Sequence, residues 1–139
     1  MDDRHWLALA CELAALCPPS PTAFSVGAVL VGADERELAR GHSRESDPLD
    51  HAEEAVLKKV PTGAVIYSSL EPCGMRASRP LSCAQLILAA GIPRVVFAWR
   101  EPPRFVEGAG AQLLTRAGVE VVELPELAEA ARRPNLHLL

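Results

Sequence analysis

Asp50-His51-Ala52-Glu53-Glu54, then an apolar run into Leu70-Glu71-Pro72-Cys73, then a nine-residue loop ending at Cys83, is the stretch on which the chain turns. It carries one imidazole, two thiols and a carboxylate two residues beyond the imidazole. These soft-to-borderline donors suit Zn²⁺, and three protein ligands leave the fourth tetrahedral position for water, as a catalytic site needs and a structural site does not. The reading is a hydrolytic zinc site with His51, Cys73 and Cys83 as ligands. The same stretch sets the architecture. Val65 to Leu70 reads as a strand, and Cys83 to Ala90 as a helix ended by Gly91 with Pro93 just beyond. The ligands then fall at a helix start, a strand end and the next helix start, where ligands gather in open α/β sheets.

Upstream, Trp6, Leu7, Ala10, Cys11, Leu13, Ala14 and Cys17 recur every three to four residues, which predicts an amphipathic helix over Asp3 to Leu16, stopped by Pro18 and Pro19. Val26 to Val31 is nearly all apolar and reads as a strand buried on both faces. A turn at Gly32 to Arg36 returns the chain as an antiparallel strand over Glu37 to Ser43. A polar loop, Arg44 to Asp50, delivers it to a helix over His51 to Lys59. Downstream, Arg94 to Ala98 reads as a strand, Glu101 to Phe105 as a loop, and Gly110 to Ala117 as a helix closed by Gly118. Val119 to Val122 is a last strand and Pro125 to Arg132 a final helix, with the closing Leu136-His137-Leu138-Leu139 uninformative unless it docks on a partner. A hairpin followed by helix-then-strand units predicts a three-layer α/β/α sandwich around a five-stranded mixed sheet.

The 139 residues fit one domain, taken as residues 1–139. A net charge of −4 and few aromatics argue against polynucleotide partners. Met1 to Arg4 lack the basic start of a secretory signal, and the apolar run Leu7 to Cys17 is too short to span a bilayer and holds Glu12, so a cytoplasmic protein without membrane contact is expected. Four cysteines without an export signal favour metal binding or burial over disulfides; Cys11 and Cys17 are expected to be buried small apolar residues.

Glu53, on the first helical turn, is expected to reach the water beside the metal without being a ligand and to serve as general acid and base, with its pKa raised in a closed pocket. Glu54 stands four residues before Lys58 and reads as half of an exposed helical ion pair.

His-x-Glu followed by Pro-Cys and a second Cys resembles the zinc nucleobase deaminases. The chain looks most like the deaminase domain of riboflavin biosynthesis, in His51-Ala52-Glu53, Leu70-Glu71-Pro72-Cys73, Arg79-Pro80-Leu81-Ser82-Cys83 and Ala90-Gly91-Ile92-Pro93-Arg94-Val95. The resemblance implies the cytidine-deaminase-like fold, one zinc per chain, ammonia release from an amino-substituted pyrimidine, purine or related base, nucleoside or nucleotide, and a homodimer or larger homo-oligomer. It also implies substrate contacts at Phe24, Ser43, Ala52 and Arg79. Arg79 would grip a phosphate or carbonyl, or be a solvated loop arginine; Phe24 would face the heterocycle or pack in the core. Arg76, Arg100 and Arg104 read as surface residues, and Glu71 as a support for its loop. The chain departs from the family in Phe24-Ser25, where an Asn-Pro pair is usual, and in Glu101-Pro102-Pro103, where Asp-Pro-Asn is usual; it reads as a stand-alone domain without a reductase partner.

Two other readings compete. One is a deaminase acting on a base within tRNA or single-stranded DNA, which the acidic balance and missing basic tail disfavour. The other is a non-catalytic zinc module, which would need a fourth protein ligand; His42 and Cys17, the nearest spare donors, lack ligand-like spacing.

Overall fold

The hairpin that starts the sheet is made by β1 (Gly27–Val31) and β2 (Glu37–His42), antiparallel and joined through a turn in which Glu35 takes a left-handed conformation (φ 66°). The computed structural model describes residues 2–76, 79–100 and 109–139. The expected loop at Glu101 to Phe105, with Arg104 and Glu101-Pro102-Pro103, lies outside the described residues. The strand order is β2-β1-β3-β4-β5, with β3 (Val65–Leu70), β4 (Arg94–Trp99) and β5 (Glu120–Glu123). β3 is antiparallel to β1, while β4 and β5 run parallel to β3, so the sheet is mixed as expected.

Alternation along the strands builds two apolar layers. Ala28, Leu30, Ile66 and Val95 face α2 (Ala52–Lys59), α3 (Cys83–Ala89) and α4 (Gly110–Arg116), through Val56, Ile87 and Leu114. Val29, Val31, Val65, Tyr67 and Val96 face α1 (Asp3–Ala14) and α5 (Ala128–Arg132), through Leu7, Ala10, Leu13 and Ala131. This is the α/β/α sandwich. α1 approaches β1 so closely that a Cβ on Gly27 would lie 1.9 Å from the Ala10 carbonyl oxygen. Asp3 ties the same helix to the sheet, accepting from Arg94 at 2.8 and 2.7 Å and from the Tyr67 hydroxyl at 2.7 Å. No helix among the described residues is long and apolar enough to cross a membrane.

The predicted elements are present with small differences at their ends. α1 stops at Ala14, before the expected Leu16, because the chain ahead of Pro18 tightens into 3-10-type bonds, from the Ala15, Leu16 and Cys17 N–H groups to the carbonyls of Glu12, Leu13 and Ala14. The final helix opens as a 3-10 turn at Pro125–Leu127 and runs on beyond Arg132 into a 3-10 segment, Arg133–Leu138. That tail docks on its own chain. Buried Asn135 accepts from the Ser25 N–H at 2.6 Å and donates to the Ser25 carbonyl at 2.9 Å, and Leu138 joins the apolar layer beside Phe24.

Candidate metal centre and active site

His51 is the N-cap of α2, with extended backbone (φ −81°, ψ 164°) and a carbonyl that accepts the first helical bond from Ala55. Cys73 lies three residues past the end of β3, and Cys83 is the first residue of α3. The start of α3 is fixed by Ser82, whose hydroxyl accepts from the Gln85 N–H, while the Gln85 side chain accepts from the Ser82 N–H. The first two N–H groups of that helix both point at Cys73: Cys83 N–H donates to its sulfur at 3.2 Å and Ala84 N–H to its carbonyl at 3.1 Å. The Cys83 N–H donated to the Cys73 sulfur favours thiolate over thiol there.

His51 Nδ1 lies 3.6 Å from Cys73 Sγ and 3.3 Å from Cys83 Sγ, and the three donor atoms fall within 4.8 Å of one another. The donor set fits zinc. Zn–N and Zn–S bonds meeting at a tetrahedral angle put nitrogen and sulfur about 3.6 Å apart. This is the one three-donor cluster found among the described residues. His42 and Cys17 stand outside it, the former beside the Ser43 carbonyl and the latter beside the Val26 carbonyl. A hydrogen bond from Cys83, followed by the His51 ring, pulls the Cys73 thiol well down, and the same bond and full burial push Cys83 up. One thiol of the pair therefore ionises readily.

Glu53 is almost completely buried, and burial raises its carboxyl to about 7. One of its oxygens lies 3.5 Å from the Ser68 hydroxyl, which also reaches the Leu70 carbonyl at 2.7 Å. It is not a member of the donor cluster. A carboxyl with this value exchanges protons near neutral pH, as a general acid and base requires.

Glu71 supports its loop as expected: its carboxylate accepts from the Ala111 N–H at 3.0 Å, at the start of α4. That helix presses on the ligand segment, since a Cβ on Gly110 would lie 1.7 Å from the Pro72 carbonyl oxygen.

The remaining candidates divide. Ala52 is fully buried as the first residue of α2. Phe24 is core-packed, with its ring edge-on to Trp99 at 5.5 Å. Ser43 is buried, its hydroxyl accepting from the Val26 N–H at 3.0 Å. Arg79 is engaged by carboxylates, with Nη2 3.1 Å from both Asp47 and Asp50. Two expectations are corrected. Glu54 does not pair with Lys58; it accepts from the His51 N–H at 2.9 Å and from Arg76 at 2.6 Å, while Lys58 bonds to Asp50. Arg76 is not a surface residue: its side chain is 1% exposed, because Glu54 and the Leu49 carbonyl satisfy the guanidinium. Arg100 does lie at the surface, paired with Glu123. The sequence marks Arg79 by family resemblance but carries no sign that Arg76 is buried; that is set by what each meets in space.

Comparison with known proteins bears on this site directly. Residues 1–99 match the family model described as the cytidine and deoxycytidylate deaminase zinc-binding region. The chain is 40% identical over 115 residues to the diaminohydroxyphosphoribosylamino-pyrimidine deaminase of Schizosaccharomyces pombe, covering 77% of this chain and 28% of that protein. It is 33% identical over 137 residues to the riboflavin biosynthesis protein RibD of Escherichia coli, covering 94% and 36% respectively. The chain thus spans about a third of the length of these curated relatives. Among solved structures, Acinetobacter baumannii RibD superposes with a TM-score of 0.81 at 32% identity over 96% of this chain and 37% of that one. The Aspergillus oryzae Rib2 deaminase, solved in complex with DARIPP, superposes with a TM-score of 0.73 at 27% identity over 99% of both chains.

Proposed function

The chain belongs to the cytidine and deoxycytidylate deaminase zinc-binding family, and on that premise we propose that it is a zinc-dependent hydrolase releasing ammonia from an amino-substituted heterocycle. The observation that carries the reading is the pairing of a three-donor cluster, His51, Cys73 and Cys83, with a buried carboxyl two residues past the histidine. His51, Cys73 and Cys83 would hold the zinc, which would supply Lewis-acid activation of water near neutral pH. Glu53 would take a proton from the attacking water as its oxygen bonds to the amino-bearing ring carbon, and would return protons to the ring nitrogen and to the amino group, so that the C–N bond breaks and ammonia leaves. Its buried setting keeps both protonation states within reach at neutral pH and holds the carboxyl out of bulk solvent.

The relatives' names make an amino-pyrimidine ribotide the first substrate to try. Phe24, Ser43, Ala52 and Arg79 are its candidate contacts, with Ser43 and Arg79 supplying the polar groups. The family likeness further supports residues 1–139 as one deaminase domain, a homodimer or larger homo-oligomer, and a cytoplasmic setting; light scattering on the purified protein tests the assembly.

The deciding experiment measures zinc content and ammonia release over pyrimidines, purines, triazines and pterin-like bases, free and phosphoribosylated. Glu53→Gln is expected to keep its zinc and lose turnover by about 10²–10⁴-fold. Retained turnover in that variant removes Glu53 from the chemistry, and a wild-type protein that binds no zinc removes the whole reading.

A further inference from the structure

We propose that Arg76, acting through Glu54, is a positioning residue for the metal ligands: it locks the loop between Cys73 and Cys83 to the start of α2 and so sets the distance from His51 to the two sulfurs. The inference rests on the reading of His51, Cys73 and Cys83 as the zinc site.

Glu54 Oε1 is shared. It accepts from the His51 backbone N–H at 2.9 Å and from Arg76 Nη1 at 2.6 Å, while Arg76 Nη2 donates to the Leu49 carbonyl at 2.8 Å. One guanidinium thus holds the chain on both sides of His51, by a backbone carbonyl before it and a side chain after it. Arg76 lies three residues past Cys73, so the same group is anchored to a second ligand. A parallel brace comes from Arg79, four residues before Cys83, which donates to Asp50, the residue preceding His51. The side chain of Asp50 has no exposure and is also held by Lys58.

Capping alone does not account for Arg76. A carboxylate at the third helical position satisfies the N-cap N–H without help from a cation. Arginine stays charged at any working pH, and burying it needs a full set of acceptors. The chain meets that cost at a point where two ligand-bearing segments must keep a fixed separation. Groups that orient metal ligands from behind commonly change metal affinity by about 10–100-fold when removed.

The test is zinc affinity, measured by competition with a chelator of known affinity, together with the visible absorption of the cobalt(II)-substituted protein. Wild type is compared with Arg76→Met, Arg76→Lys, Glu54→Gln and the Glu54→Gln/Arg76→Met double variant. Arg76→Met is expected to weaken zinc by about 10–100-fold and to alter the cobalt bands. Arg76→Lys should recover part of the loss, and the double variant should lose no more than Arg76→Met. A folded Arg76→Met protein with wild-type affinity and spectrum refutes the proposal, even if its melting temperature falls, because a purely structural brace would move only stability. Should Arg76→Met fail to fold, Glu54→Gln decides on the same readouts: it keeps an acceptor for the His51 N–H and loses the charge that holds Arg76. A wild type that binds no zinc overturns the functional reading and this one with it. Wild-type zinc binding matched by every variant overturns this one alone.

Discussion

Gly110→Ala isolates the contact between α4 and the segment that carries Cys73. In an unconstrained helix the exchange would stabilise, by up to about 1 kcal/mol, since alanine is the better helix former. Here the added Cβ would lie 1.7 Å from the Pro72 carbonyl oxygen and 2.8 Å from its carbon, whereas real contacts of this kind essentially never fall below 3.0 Å. Both partners are backbone, so no rotamer change relieves the clash; α4 or the Pro72–Cys73 segment must move by more than an ångström. Overpacking of this sort costs about 1–3 kcal/mol. The shift also stretches the bond from the Ala111 N–H to the Glu71 carboxylate, now 3.0 Å, and a hydrogen bond to a charged group is worth about 1.5–3 kcal/mol. The clash therefore outweighs the gain in propensity, and the variant is expected to be less stable by about 2–4 kcal/mol. Urea unfolding with zinc bound reads the stability, and chelator competition reads the displacement of Cys73 as weakened metal binding. A variant at least as stable as wild type, with unchanged zinc affinity, would refute the account of this contact.

The Asp3 carboxyl is held below its ordinary value of 3.8, first by the hydrogen bonds from Arg94 and then by Tyr67, against an opposing effect of burial. Its contribution to stability is therefore complete above pH 3.8 and fades as pH falls through the lowered folded value. The difference in unfolding free energy between wild type and Asp3→Asn should stay level from neutral pH down to about 4 and shrink below it; a difference that shrinks on the alkaline side instead would reverse the sign argued here. Asn135→Ala strips a buried partner from both backbone groups of Ser25, at a cost of about 1–3 kcal/mol for each group left unpaired. Thermal unfolding should show a clear loss, and hydrogen exchange should show the Arg133–Leu138 segment opening first; an unchanged melting temperature would mean the tail is not held there.

What could be read in the sequence follows from what each residue type can do locally. Val29 and Leu30 are both apolar because the strand is covered on two faces, so the strand is visible without knowing what covers it. The end of α3 is visible because Gly91 acts on its immediate neighbours, taking the left-handed conformation (φ 70°) just past the end of its helix, whereas Pro18 marks the end of α1 only to within a turn. Glu54 marks where local reading stops. Lys58 is its neighbour by helical spacing, worth a few tenths of a kcal/mol at best. Arg76, distant in sequence, is buried and has to be paired. Burial is a property of the assembled fold, so the stronger partner is the one that spacing cannot reveal. The same limit applied to Arg79, whose carboxylate partners come from the loop before α2.

The site itself follows from chain order more than from any single side chain. α2 leads into β3 and α3 leads out of it, both packed on one face of the sheet. A helix that returns the chain to the start of a strand begins near that strand's end, and a helix that leaves the strand begins there too. Two helix N-termini are thereby brought together beside the last residues of β3, and α4 adds a third next to Pro72. Free N–H groups and aligned dipoles make such a place hospitable to negative charge. The sulfurs of Cys73 and Cys83 and the side chains of Glu53, Glu54 and Glu71 gather there, and Cys73, which accepts the Cys83 N–H, is the one whose ionised form is favoured. Replacing either cysteine by serine would leave the helix ends where they are and remove one sulfur donor of the three-donor cluster, so loss of zinc without loss of the sheet is the behaviour this arrangement demands.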